Sequence, residues 1–428
     1  MMARKSSNSV TIALCGSGGS GVITAGTMLL RMAARAGLYG MLTRTVGPQI
    51  RGGEAASLLK LTSEPVLVGA ETYDIVVAID WHNYERLAAE IPLHTDSLVI
   101  ADPESGDVPG VVADSGAKFA RLPMQKLAKD IKGGRVNMIA LGALASLIGL
   151  PEDALVGVID EVLARKGKDA SEASIAAARA GIAAAGSLGE IAQMKAAPDN
   201  ASGRWIISGN EATGLGAVRG GVRFVAAYPI TPATEVLEWM APSLAKVGGR
   251  LVQAEDELAS INMVIGASYG GVPALTATSG PGLALMAEAI GLATASEVPI
   301  VVVDVMRCGP STGIATKSEQ ADLNIAAYGL HGDTSHVVVA PLSAGDCLTT
   351  TQWAVHLAES LQCPTLVLSD QLIGQAQVVI DRPADISFLT TREVAEAHEE
   401  GYQRYALTAS GVSPMAVPGT PEIGRAHV

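Results

Sequence analysis

Residues 252–307 read VQAEDELASINMVIGASYGG, VPALTAT, SGPG, LALMAEAIGLATASE and VPIVVVDVMR in unbroken succession. Two short apolar runs rich in β-branched residues are separated by one segment of helical length. A strand, a glycine–proline turn, a helix and a second strand close up only as a crossover, which makes the two strands parallel. The alternation recurs along the chain. SVTIALC (9–15) meets GSGGSG (16–21) and then the amphipathic helix pattern VITAGTMLLRMAARAG. DIVVAID (74–80), LVIAD (98–102) and GVVAD (110–114) read as strands, and VNMIALGALASLIGL (136–150) and the Ala-rich 170–185 as helices. The expected fold class is α/β, with two α/β domains at 1–193 and 206–385 and a polar linker, MKAAPDNASGRW, at 194–205. Composition agrees: 48% hydrophobic and only 17% charged residues, with 47 glycines, suit parallel sheets covered on both faces and surface hidden against partner chains.

A net charge of −13 argues against nucleic acid or an anionic membrane as partner. The basic start is followed by an apolar run of strand length only, so it is not a signal peptide, and VPIVVVDVM, interrupted by Asp304, is too short to span a membrane. A cytoplasmic location is expected. Cys15, Cys308, Cys347 and Cys363 stand singly, without metal or cluster spacing, and read as small buried hydrophobes. No metal site is expected on this chain.

Gly16, Gly18 and Gly21 match G-x-G-x-x-G between a strand and a helix, the context of a phosphate cradle. A dinucleotide site also needs an acid about 20 residues further on. Gly37 to Gly53 contains none, which argues against NAD. Two readings remain: a bare turn, or a seat for the phosphate of another nucleotide-like cofactor. In AAYPITPATEVLEW (226–239), Thr231 as helix N-cap with Pro232 at the first helical position is the plain reading. Three acids, Glu255, Asp256 and Glu257, precede a helix with Leu258, Ile261, Val264 and Ile265 on one face; Glu255 and Asp256 read as partners of the helix dipole.

The run from EDELASINMVIGASYGG through TSGPG to VVVDVM resembles the pyrimidine-binding domain of thiamine diphosphate enzymes. With GNEATGLGAVRGG, YPITP and MRCGPSTG it resembles the α subunit of 2-oxoacid:ferredoxin oxidoreductases. The first block, with GSGGSGVITAG, GPQIRGGEAA and NMIALGALASLIG, is similar to the γ domain of the same enzymes. The resemblance implies oxidative decarboxylation of a 2-oxoacid, 2-oxoglutarate favoured over pyruvate, to acyl-CoA and CO2 with ferredoxin as electron acceptor.

It implies thiamine diphosphate shared with a β subunit that carries Mg2+ and an iron–sulfur cluster, coenzyme A as co-substrate, and a dimer of α–β units. This chain alone is expected to bind no iron and to be inactive. Carried over by position, Glu257 bonds the aminopyrimidine ring, and Thr231 and Arg307 receive the substrate carboxylate. Lys317 either binds a second carboxylate, as in 2-oxoglutarate, or is solvated. Tyr228, Pro229 and Ile230 with Thr278, Ser279, Gly280, Pro281 and Gly282 fall on the thiamine site. Gly16, Gly18, Gly21 and Arg51 are the candidates for coenzyme A phosphates.

In that family a transketolase-like C-terminal domain follows. Here the tail, 386–428, ends in IGRAHV, which leaves the family pattern and reads like a translated sequencing adapter, so a truncated gene fragment with a poorly anchored tail is expected. Two competing readings stand beside this one. One is a non-redox thiamine enzyme of the acetolactate synthase kind, the other a non-catalytic nucleotide-binding assembly subunit.

Overall fold

The computed structural model describes residues 6–47, 52–189, 191, 193–195, 203–386, 390–395, 402–416 and 418–419. The chain divides into two compact units: 1–207 together with 376–383, and 208–375 together with 384–428.

Unit 1 is built on a mixed sheet. Its strands are β1 (Ser9–Ser17), β2 (Tyr39–Val46), β3 (Glu54–Thr62), β4 (Ile75–Ala78), β5 (Leu98–Ala101), β6 (Lys118–Arg121) and β7 (Trp205–Ser208). GVVAD is not a strand: Gly110–Ala113 forms one helical turn after Pro109, whose carbonyl takes the Val112 and Ala113 N–H groups. β2 and β3 pair antiparallel, an arrangement absent from a reading of pure β–α alternation.

Helix α1 (Val22–Arg35) follows the first glycine loop, and α2 (Val136–Ile148) and α3 (Lys168–Ala184) lie close together. Small residues permit that closeness. A Cβ on Gly142 would meet the Ala178 carbonyl oxygen at 1.8 Å, and one on Gly181 the Ile139 carbonyl oxygen at 2.1 Å.

Unit 2 carries a six-stranded, all-parallel sheet. Its elements are α4 (Gly209–Gly220), β8 (Phe224–Ala227), α5 (Thr234–Lys246), β9 (Arg250–Gln253), α6 (Glu257–Tyr269), β10 (Ala274–Thr278), α7 (Gly280–Ala295), β11 (Val301–Met306), α8 (Leu323–Tyr328), β12 (Val337–Val339), α9 (Asp346–Leu361) and β13 (Thr365–Asp370). The strand order is β9-β8-β10-β11-β13-β12, with every neighbour parallel. Two apolar clusters, around Val225, Val303 and Val355 and around Ile261, Met286 and Val302, form the core. Both faces are covered, which is why β10, β11 and β13 are buried along their whole length.

The domain boundary expected at 385 moves. After β13 the chain returns to unit 1, where β14 (Gln377–Ile380) pairs antiparallel with β2. Tyr39 Oη donates to the Asp381 carboxylate at 2.7 and 2.9 Å, and the Arg204 guanidinium stacks 3.6 Å above the Tyr39 ring while pairing with Asp381. Composition carries no mark of this return, because β14 is as apolar as a strand of unit 2.

The tail is also tied down at several described points, against expectation. Arg392 and Glu359, both about 5% exposed, form a two-pronged pair with Nε and Nη2 each 2.8 Å from an oxygen, and Arg392 Nη1 reaches the Ser268 carbonyl. Arg404 bonds Gln362, the Glu297 carbonyl and Ser413, and Ala395 N–H donates to the Met415 carbonyl. IGRAHV lies outside the described residues.

Burial pushes the Glu359 carboxyl up and the Arg392 bonds pull it back down, so removing the arginine strands a charge in the core. Arg392→Ala is expected to cost unit 2 about 3–5 kcal/mol, read as a shift in chemical-denaturation midpoint.

Candidate functional site

β8, β10 and β11 are consecutive neighbours in a parallel sheet, so their carboxyl ends emerge on one edge, where such sheets bind ligands. The loop after β8 is YPITP, that after β10 is T-S-G-P-G, and that after β11 begins at Arg307. The fold itself brings together three motifs spread over more than 70 residues.

The YPITP corner is not a capped helix start. Helix α5 begins only at Thr234, its N-cap position is Ala233, and no side chain caps it. Thr231 is exposed and precedes a cis peptide to Pro232. Its carbonyl accepts Arg307 Nη1–H at 2.7 Å, and the Pro232 carbonyl accepts Asn210 Nδ2–H at 3.1 Å. Asn210, fully buried in α4, also donates to Glu235. Tyr228 is exposed, whereas Pro229 and Ile230 are half-buried, with Ile230 packed on the core.

Arg307 is 8% exposed, and its second Nη donates to the Thr312 carbonyl at 2.6 Å. Its Nε is buried without a partner. Gly313, at φ +59, is the one residue type that fits beside it, since a Cβ there would stand 1.6 Å from the Cys308 carbonyl oxygen. Arg307, Gly280, Pro281, Thr312 and Asp322 line a cavity of about 780 Å3. Lys317, half-buried in the same loop, accepts Cys308 N–H on its carbonyl but does not line the cavity.

The three acids separate as helix geometry requires. Asp256 is the N-cap of α6, its carboxylate accepting Ala259 N–H at 2.7 Å; Glu255 is exposed; Glu257, the first helical residue, is 7% exposed. No hydrogen bond or ion pair engages the Glu257 carboxyl among the described residues. It lies against the T-S-G-P-G turn, where a Cβ on Gly282 would sit 2.7 Å from Glu257 Cγ and 2.0 Å from Thr278 Oγ1. Ser279 Oγ, just before α7, is buried and unpartnered. The expected apolar face of α6 is corrected in part. Glu257, Ser260, Ile261, Val264 and Ser268 face inward, while Leu258 is 49% exposed, because the inward series at i, i+3, i+4 and i+7 begins at Glu257.

In unit 1 the glycine loop is shaped by packing. Ser17 N–H and Oγ–H both donate to the Asp80 carboxylate, and Gly18 N–H donates to the Gly53 carbonyl. A Cβ would strike Ser20 Oγ at Gly16, the Gly53 carbonyl at Gly18 and the Asn137 side chain at Gly21. A cleft of about 660 Å3 opens beside Gly18–Thr24, with Asn137, Arg135, Lys166 and Ser174 on its other walls. Arg51 lies outside the described residues.

Asn210, Asp304 and Asp322 were missed from sequence. A signal existed for two of them: Asn210 stands in the quoted GNEATG, and Asp304 is the lone acid inside a buried apolar strand. No group of three His, Cys, Asp or Glu residues that could hold a metal occurs among the described residues, nor is any helix there long and apolar enough to cross a membrane.

A buried acid opening a helix beside a T-S-G-P-G turn, on a fully parallel sheet, is the arrangement that the resemblance to the pyrimidine-binding domain of thiamine diphosphate enzymes implies. The comparisons specify it further. Residues 215–420 match the family described as pyruvate flavodoxin/ferredoxin oxidoreductase, thiamine diP-binding, and residues 11–184 match pyruvate ferredoxin/flavodoxin oxidoreductase. The 2-oxoglutarate oxidoreductase subunit KorA of Mycobacterium tuberculosis is 30% identical over 98% of this chain and 69% of its own length. The 2-oxoglutarate synthase subunit KorA of Archaeoglobus fulgidus is 48% identical over 42% of this chain and 51% of its own.

Among solved structures, 2-oxoglutarate:ferredoxin oxidoreductase from Magnetococcus marinus, with 2-oxoglutarate, coenzyme A and succinyl-CoA bound, superposes with a TM-score of 0.90 at 38% identity, covering 97% of this chain and 73% of that one. The chain belongs to the 2-oxoacid:ferredoxin oxidoreductase family. It spans about half the length of several curated relatives it matches.

Gly282→Ala is expected to destabilise unit 2 by about 1–3 kcal/mol, because the new methyl must displace Glu257 or Thr278. Gly266→Ala, in α6 where an added Cβ meets nothing within 4 Å, is expected to stabilise it by up to about 1 kcal/mol. Paired denaturation curves check the opposite signs.

Proposed function

We propose that this chain is the pyrimidine-binding subunit of an enzyme that oxidatively decarboxylates a 2-oxoacid to acyl-CoA and CO2, passing electrons to ferredoxin. The observation that carries the proposal is Glu257: a buried carboxyl without a protein donor, held at the edge where the three motif loops meet. Such a group suits the N1′ nitrogen of the aminopyrimidine ring, and Ser279 Oγ in the T-S-G-P-G turn offers a further unpaired polar atom among the described residues. Thiamine diphosphate supplies, when bound, a thiazolium carbon that adds to the keto carbon and takes up the electrons left as CO2 departs. Glu257 holds a proton at N1′, which favours the ring tautomer whose imino nitrogen serves as base. Tyr228, Pro229, Ile230, Thr278 and Gly280–Gly282 shape the ring's seat.

Arg307 and Thr231 orient the substrate carboxylate. The guanidinium is already fixed by two carbonyls, so little side-chain freedom is lost when an anion arrives. Lys317, in the same loop though outside the cavity lining, is the candidate for the distal carboxylate of 2-oxoglutarate, the substrate named in the relatives KorA and in the Magnetococcus enzyme. Coenzyme A, bound in that same neighbour, is assigned here to the unit 1 cleft. Arg135 and Lys166 there suit its phosphates, together with the N-terminal end of α1, and Arg51 is a further candidate from the sequence.

The β-type partner contributes Mg2+ and the iron–sulfur cluster, two such pairs form a dimer of α–β units, and the complex works in the cytoplasm. Exposed Leu258, Met263, Leu285 and Leu292 on α6 and α7 give the partner an apolar face.

With the partner subunit and saturating thiamine diphosphate, Glu257→Gln is expected to assemble and bind cofactor yet lose about 10²–10⁴-fold in turnover, while Glu255→Gln, at an exposed position, changes little. Near-normal turnover of Glu257→Gln refutes the assignment. Arg307→Ala is expected to cost about 2–5 kcal/mol of substrate binding with cofactor binding intact; loss of cofactor with KM unchanged places Arg307 in the cofactor shell instead.

A further inference from the structure

Asp304 sits in mid-strand in β11, between Thr278 of β10 and Leu368 of β13, and is fully buried. Among the described residues neither of its carboxyl oxygens meets an N–H or O–H donor, and neither does Oδ2 of Asp322. The two carboxyls lie within hydrogen-bonding reach of each other. Two carboxylates here would set a second charge, on half-buried Asp322, against the fully buried Asp304 that lacks a donor, whereas one proton between them supplies the missing donor. Burial, then the charge of Asp322, pushes Asp304 well above the usual carboxylate range. Asp322 is pushed up by burial, held down by its bond with Asp304, pushed up by Glu319 and pulled down by Arg307.

Asp322 also faces the site. It precedes α8, lines the cavity with Arg307, and presses on the T-S-G-P-G turn so closely that a Cβ on Gly280 would lie 2.5 Å from its Oδ1. The charged groups around the pair are Arg307 and Glu319, both in the segment after β11; Thr278 and Leu368, flanking on the adjacent strands, are neutral.

We propose that Asp304 and Asp322 share one proton in the resting enzyme and take up a second when a 2-oxoacid carboxylate reaches Arg307, which makes Asp322 a positioning residue for that arginine. This rests on the reading of Arg307 as the carboxylate's partner. With one proton the pair carries a single negative charge, which balances the guanidinium in the empty site. An incoming carboxylate neutralises Arg307 and adds a negative charge beside Asp322, so the pull that kept Asp322 ionised is lost and a proton enters from solvent. When the carboxylate leaves as neutral CO2, the second proton returns to solvent. Binding and proton uptake are therefore linked, and affinity falls as pH rises.

The shared proton is tested on the chain as it stands. Infrared spectra with 13C-labelled aspartate are expected to show a protonated-carboxyl stretch at neutral pH that Asp304→Asn abolishes; a wild-type chain without that band overturns the proposal. The linkage is tested in the enzyme assembled with its β-type partner, using 2-oxoglutarate and pyruvate as probes. Wild-type KM is expected to rise by up to about tenfold per pH unit above the point where Asp322 ionises, with uptake of about one proton per substrate in calorimetry across two buffers.

Asp304→Asn, whose amide donates to Asp322 and keeps it an anion, is expected to flatten the KM profile at its high value while leaving the pH dependence of turnover unchanged. Asp322→Asn, which removes the group that titrates beside Arg307, is expected to flatten it as well, and serves if the first variant folds poorly. Should Arg307→Ala raise KM while Asp304→Asn and Asp322→Asn keep the wild-type slope, the linkage is overturned. Should Arg307→Ala leave KM unchanged, the reading of Arg307 fails and the linkage with it, while the infrared band stays as it was.

Discussion

One guanidinium joins two loops. Arg307 donates to the Thr231 carbonyl on one side and the Thr312 carbonyl on the other, tying the corner after β8 to the segment after β11. Backbone carbonyls turned away from water need donors, and a fixed two-pronged donor satisfies both while surrendering little side-chain freedom. Asn210 does the same work from the other side by holding the Pro232 carbonyl. The rigidity of YPITP thus comes from donors supplied at a distance along the chain, and its local capping potential goes unused.

Close backbone approach is the second constraint. In the T-S-G-P-G turn the two glycines make room for different carboxyls: Gly282 for Glu257 and Gly280 for Asp322. The glycine loop of unit 1 has a similar look and a different use. Its glycines admit Ser20, Gly53 and Asn137, and Asp80 takes the Ser17 donors that a bare phosphate cradle would leave open. The opening in this unit is the neighbouring cleft beside the helix start.

Unit 2 also buries charge, and in each case geometry limits the cost. Arg392 and Glu359 form a two-pronged pair in the core, and that pair holds part of the tail that was expected to be loose because its end leaves the family pattern. Asp304 and Asp322 lie together at the back of the site, where a shared proton removes one of two charges. An unpaired charge at either place would be far more costly than the paired arrangement.

The family resemblance singled out Glu257 among three acids, and the sequence by itself determined the α/β class and most of the strands around the motifs. These follow from local rules: β-branched runs cannot avoid a sheet, and a 3.6-residue period sends every third or fourth side chain inward. Only the tertiary structure decided the rest. The return of β14 to unit 1, the antiparallel pairing of β2 with β3 and the anchoring of Arg392 depend on partners far away in the chain, as does the loss of Thr231 as a cap. The pairing of Asp304 with Asp322 was marked in sequence only by a lone acid in an apolar strand. What that acid faces is set by which loop folds over the strand end, and contacts of that kind have no period for a sequence to display.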